Sequence, residues 1–205
     1  MERESQMEVL EKTLPRSDVS GSKFRVTADG NEALQRGTEI FEQVQRRQRH
    51  IMQPSQYELE TEIGKDKAIQ WFGTFYKRMM ADPRMAVLFN NKDSEANVSA
   101  LVHGKRLALA LWSRWTDDQS YYHEVGNNMF RRLQEGHTRA KQCPMRSKRL
   151  QGRGFTTAQR NSWLGHLWLA GKESSIPPKL NDQVVQHLAT LIGFYGPFVE
   201  ANSKA

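Results

Sequence analysis

Cysteine is all but missing from this 205-residue chain: Cys143 stands alone, so the chain cannot close a disulfide on itself. That argues against a secreted, disulfide-stapled scaffold and for a reducing or mitochondrial compartment. No apolar run reaches the roughly 18 residues that a membrane-spanning helix needs. The opening residues, MERESQMEVLEK, contain acids and no hydrophobic stretch. They match neither a secretory signal nor an Arg-rich, acid-poor transit peptide. The expectation is an intracellular protein, with mitochondrial, axonemal and cytosolic locations all open. The chain also lacks CxxC, HExxH, GxSxG and a Gly-rich phosphate loop. Cys143 has no assignable base beside it and reads as an inert thiol. His50, His123, His166 and His187 show no ligand-like spacing to one another, and Asp117-Asp118 reads as a turn or cap pair. An enzyme is not expected.

What is abundant is positive charge, and it is concentrated. The chain carries 30 basic and 23 acidic residues, a net of +7. Between residues 131 and 153, Arg131, Arg132, Arg139, Lys141, Arg146, Lys148, Arg149 and Arg153 face only Glu135, which is again +7. One stretch therefore holds the whole excess. Such a segment suits an acidic protein face, anionic lipid headgroups or RNA, or is a solvated loop. Its only aromatics, Phe130 and Phe155, stand at its ends, so a base-stacking platform has little support.

Residues 1–56 read as an N-terminal arm. Acids and bases balance at nine each, and Pro15, Ser20-Gly21 and Asp29-Gly30 interrupt regular structure. One helix is expected from about Asn31 to Met52, with Gly37 weakening it. A helix with so thin an apolar face needs the body of the protein or a partner to dock on. The body, residues 57–205, carries helical periodicity and no alternating strand pattern. In its first helix Ala68, Ile69, Phe72, Phe75, Tyr76, Met79 and Met80 recur at helical spacing. Asp82-Pro83 ends that helix and opens a short one with Met85, Val87, Leu88 and Phe89. A third follows Asn90-Asn91, with Val98, Leu101, Ala108, Trp112 and Trp115 near one face. An irregular segment runs to Gly154. Thr156 or Thr157 then caps a helix holding Trp163, Leu167 and Trp168. The last helix spans about 180–200, is capped by Asn181 or Asp182, and uses Val184, Leu188, Leu191, Tyr195 and Phe198. The fold class expected is all-α.

The order of these features resembles the truncated, two-over-two globin family. Ile63-Gly64, Phe75-Tyr76, Asp82-Pro83, Leu88-Phe89 and His103-Gly104-Lys105 match its Gly-containing entry, FY pair, DP turn, FF-like end and HxK-like segment. Arg160, Trp163 and Leu164 look like its RDAWL helix, and the resemblance covers about 140 residues, Tyr57 to Val199. It implies a globin-like helical sandwich with an added arm and a basic insertion at 131–154. It also implies a haem, held by a proximal histidine roughly 13 residues before the Trp. That position is Leu150 here, and no histidine lies between His137 and His166.

Two histidines offer substitutes. His137 serves as proximal ligand only if residues 142–154 are an inserted loop, and His103 lies near the distal side. Tyr76 matches the distal tyrosine that hydrogen-bonds a bound ligand in the family. The leading expectation is nevertheless a non-catalytic globin-fold subunit whose haem site is lost or degenerate. It would meet other subunits of an assembly, mitochondrial, axonemal or ribonucleoprotein, through residues 1–56 and 131–154. The alternative is a haem protein that binds oxygen or nitric oxide or transfers electrons. A weaker one is a nucleic-acid-associated subunit acting through the basic segment, with affinity falling steeply with salt.

Overall fold

The structure, a computed structural model, describes residues 27–47, 54–86, 88, 100–118 and 155–192. His137, Cys143, Leu150 and the eight basic residues of 131–153 lie outside the described residues, as do Val87, Phe89, Val98, Tyr195 and Phe198. Within the described residues every regular element is helical, and no helix is long and apolar enough to cross a membrane.

Helix α1, Ala28–Arg47, starts where the Thr27 hydroxyl accepts from the Gly30 amide at 3.1 Å. Arg46 and Arg47 occupy its last turn, where cations complement the helix dipole. Helix α2 is a single turn, Gln56–Glu58, capped by Ser55, and it widens into a π-helical turn over Leu59–Ile63. The Gly64 amide closes that turn on the Leu59 carbonyl at 2.9 Å, and φ of 77° at Gly64 redirects the chain. Helix α3, Lys65–Ala81, then runs to the predicted Asp82-Pro83 break, where α4, Pro83–Ala86, begins. Helix α5 is Ala100–Trp115, α6 is Thr157–Glu173 and α7 is Pro178–Ile192. Thr156 caps α6 in a reciprocal capping box with Gln159. The last helix starts a turn earlier than Asn181 or Asp182, because Pro178 supplies a ready-made first helical position.

The helices assemble around α6. Helices α3 and α5 form one close pair and α1 and α6 the other, with α3 packed on α6 and α7 laid against α6 and α1. The helix expected within the arm therefore docks on its own chain. Its contact with α6 is the most extensive in the protein. Gly37 makes this approach possible, since a Cβ there would stand 1.7 Å from the Asn161 carbonyl oxygen. The α3–α5 crossing is also close: a Cβ on Gly104 would lie 2.6 Å from Gly73 Cα.

Enclosed by α1, α3, α4 and α7, α6 buries residues all around its circumference, including Asn161, Ser162, Leu164, Gly165, His166, Leu167 and Ala170. The core also contains Trp71, Phe72, Phe75, Met79, Met85, Leu111, Leu180 and Val184. Full burial of each large apolar side chain contributes roughly 1.5–3 kcal/mol. Trp71 adds a buried hydrogen bond, donating to the Leu167 carbonyl at 3.0 Å.

Candidate functional site

The α3–α5 crossing positions the first candidate site. Gly73 and Gly104 bring the two backbones together, which places Tyr76, one turn further along α3, beside His103 of α5. Their rings stack, 5.3 Å between centroids and 16° from parallel. Phe75 continues the series, meeting Tyr76 at 5.0 Å and Trp163 of α6 at 4.9 Å, both edge to face. Four rings thus run in contact across three helices. Phe75 is fully buried, whereas Tyr76, His103 and Trp163 are half-buried.

Two of the three haem-site residues read from the sequence are therefore neighbours, and the third, His137, lies outside the described residues. The remaining described histidines are held elsewhere. His166 is paired to Asp82, and His187 lies edge-on to Trp115 at 5.7 Å. Burial and the Arg114 charge push the His187 imidazole below its ordinary range. A haem would find a flanking Tyr76–His103 pair here and no described imidazole to hold its iron from the other side.

The second cluster is one that the sequence did not reveal. Asp82 and His166, 84 residues apart in the chain, meet with Nε2 of His166 2.9 Å from Oδ2 of Asp82, both side chains 1% exposed. The other carboxylate oxygen accepts from the Arg84 backbone N–H at 3.0 Å and from Arg84 Nε at 3.3 Å. Burial pushes the Asp82 carboxyl up, but the hydrogen bonds from His166 and from Arg84, with the Arg84 charge, outweigh it and hold it at about 2. Asp82 is thus an anion that only accepts, so His166 Nε2 carries the proton between them.

Oriented by Asp82, Arg84 reaches the Gly30 carbonyl in the first turn of α1, while its own carbonyl accepts from Gln159 at 3.2 Å. Arg78 adds an outer clasp, pairing with Asp29 of α1 and, at 3.0 Å, with Glu173 of α6. Sealed from solvent, the Asp82–His166 pair cannot reach a substrate. Its chemistry is to fix the α3–α4 turn against α6 and to seat α1.

Elsewhere the tryptophans of α5 and α6 divide. Trp112 and Trp115 are buried, while Trp163 and Trp168 are half-buried. Trp168 donates to Asp182 at 2.8 Å, and the Arg36 guanidinium lies 4.2 Å from its ring centroid. Asp117 and Asp118 diverge, Asp117 accepting from Gln56 at 3.1 Å and Asp118 pairing with Lys65 at 2.7 Å.

The Asp82–His166 contact escaped sequence reading because it joins the punctuation of one helix to the interior of another. Asp-Pro signals a turn, and a single histidine on α6 carries no spacing signal. No family model, no curated protein and no solved structure matches this chain.

Proposed function

We propose that the chain is a non-catalytic, globin-fold structural or accessory subunit of a larger protein assembly, its haem site lost. The observation that carries this reading is the commitment of the buried Asp82–His166 pair to internal architecture, with the partly exposed Arg84 tying it to α1. The close pairing of α3 with α5 and the packing of α7 on α6 are what a two-over-two arrangement would use, while α1 covers α6 most extensively. Leu150, where the family resemblance expects the proximal histidine, supports loss of the iron ligand. Residues 1–56, whose helix α1 also packs on α6, and residues 131–154 are the proposed partner-binding segments, the second through Arg131, Arg132, Arg139, Lys141, Arg146, Lys148, Arg149 and Arg153 against an acidic surface.

The test is the native mass of the protein in extracts of its source, for the wild type and for a variant with those eight residues changed to glutamine. The reading expects a large assembly that the variant no longer joins. A monomer in both cases overturns it.

A second reading has one specific observation behind it. The Tyr76–His103 stack sets two distal-side candidates side by side, as a haem-binding truncated globin would need. His137→Ala would then abolish haem retention, and His103→Ala would shift the spectrum of the bound haem. The first reading expects neither variant to alter fold or assembly.

A further inference from the structure

We infer that an internal water molecule binds between Ser162 and His166 on α6, where it completes a hydrogen-bond chain ending on helix α1. Ser162 is 0% and His166 1% exposed. Ser162 Oγ and His166 Nδ1 both lack a hydrogen-bond partner among the described residues. Buried polar atoms in folded proteins are almost always paired, so two unpaired ones a single helical turn apart call for a shared partner. The residues are four apart on one helix, so their side chains rise from the same face with Cβ atoms about 5–6 Å apart. That separation suits one water touching both, and internal waters characteristically satisfy such leftover groups.

The chemistry of the site sets the polarity of the contacts. With its Nε2 proton held by the Asp82 carboxylate, His166 would offer Nδ1 to the water as an acceptor. The water donates one proton to Nδ1 and shares its second hydrogen bond with the Ser162 hydroxyl, which can give or take. The chain then reads Ser162, water, His166, Asp82, Arg84 and the Gly30 carbonyl, running from the interior of α6 to the first turn of α1. A metal ion is disfavoured because Ser162 and one imidazole nitrogen form a poor donor set.

The test uses the full chain in two measurements. Long-range proton–nitrogen NMR of the histidines should show His166 with its proton on Nε2 and its Nδ1 resonance displaced by an accepted hydrogen bond. Water cross-peaks should reach the Ser162 and His166 side-chain protons. Ser162→Val, whose extra methyl occupies the water's place, should lose those cross-peaks and return Nδ1 to the position of a bare lone pair.

Should the valine variant fail to fold, a high-resolution crystal structure of the wild type decides. Ordered density within hydrogen-bond distance of both atoms is the expected result. A direct Ser162 Oγ–Nδ1 bond, an empty space, or a proton on Nδ1 with Nε2 bare overturns the inference.

Discussion

Gly37 of α1 and Gly165 of α6 meet backbone to backbone. A Cβ on Gly37 would lie 2.9 Å from the Gly165 amide nitrogen, and a Cβ on Gly165 would lie 1.7 Å from the Ala33 carbonyl oxygen. These atoms belong to two helical backbones and cannot swing aside as a side-chain tip would.

Gly37→Ala and Gly165→Ala are therefore expected to destabilise the protein by about 3 kcal/mol each, the upper part of the overpacking range. In an open helix the same change would stabilise by about 1 kcal/mol, so even the sign is informative. Urea denaturation of each variant checks it. Amide exchange in residues 28–47 should accelerate in both.

Backbone conformation gives a pair of opposite expectations. Gly64 has φ 77° and ψ 157°, and a Cβ on it would meet nothing within 4 Å. Gly64→Ala therefore makes no clash and suffers only backbone strain, about 1–3 kcal/mol. Ser175 has φ of 52° just past the end of α6, a position that favours glycine. Ser175→Gly should raise stability by about 1 kcal/mol. Thermal denaturation of the two variants beside the wild type tests both signs together.

The buried carboxylate makes stability depend on pH in a definite direction. Asp82 is held at about 2, against an ordinary value of 3.8, so between these values the unfolded chain binds the proton more readily than the folded one. Its stabilising contribution is complete above the unfolded value and is lost as pH falls through about 2. The drop corresponds to about 2 kcal/mol. Asp82→Asn should lose roughly that amount at neutral pH, by removing the charge that His166 and Arg84 bond to. It should also flatten the acid limb of the urea midpoint plotted against pH. An acid limb as steep in the variant as in the wild type would show that Asp82 is not the group responsible.

Much of the helical framework was legible in local signals. Asp82-Pro83 breaks the chain where proline chemistry dictates, and Thr156 is the cap that the threonine pair before α6 announces. The all-helical class follows from spacing alone. What stayed hidden depends on contacts between distant segments.

Gly37 read as a weak point in a thin helix, yet it is the residue that lets α1 lie against α6. Trp71 fell outside the apolar stripe because α3 is covered on more than one side, and its indole N–H is satisfied by Leu167, 96 positions away. Helix α6 is buried around its circumference, so no amphipathic pattern marks the role of Ser162 or His166. At the candidate site, Tyr76 and His103 could be named from a family resemblance. Their stacking depends on the Gly73–Gly104 crossing, which no single helix reveals.

The most direct test of the account is an absorption spectrum, with pyridine-haemochrome quantification, of the protein purified from its native source and again after haem is offered to the folded chain. A structural subunit without a haem site shows no Soret band in either sample while its helical circular dichroism is unchanged. A Soret band with about one haem per chain, lost in His137→Ala, contradicts the account and assigns the Tyr76–His103 pair to ligand chemistry.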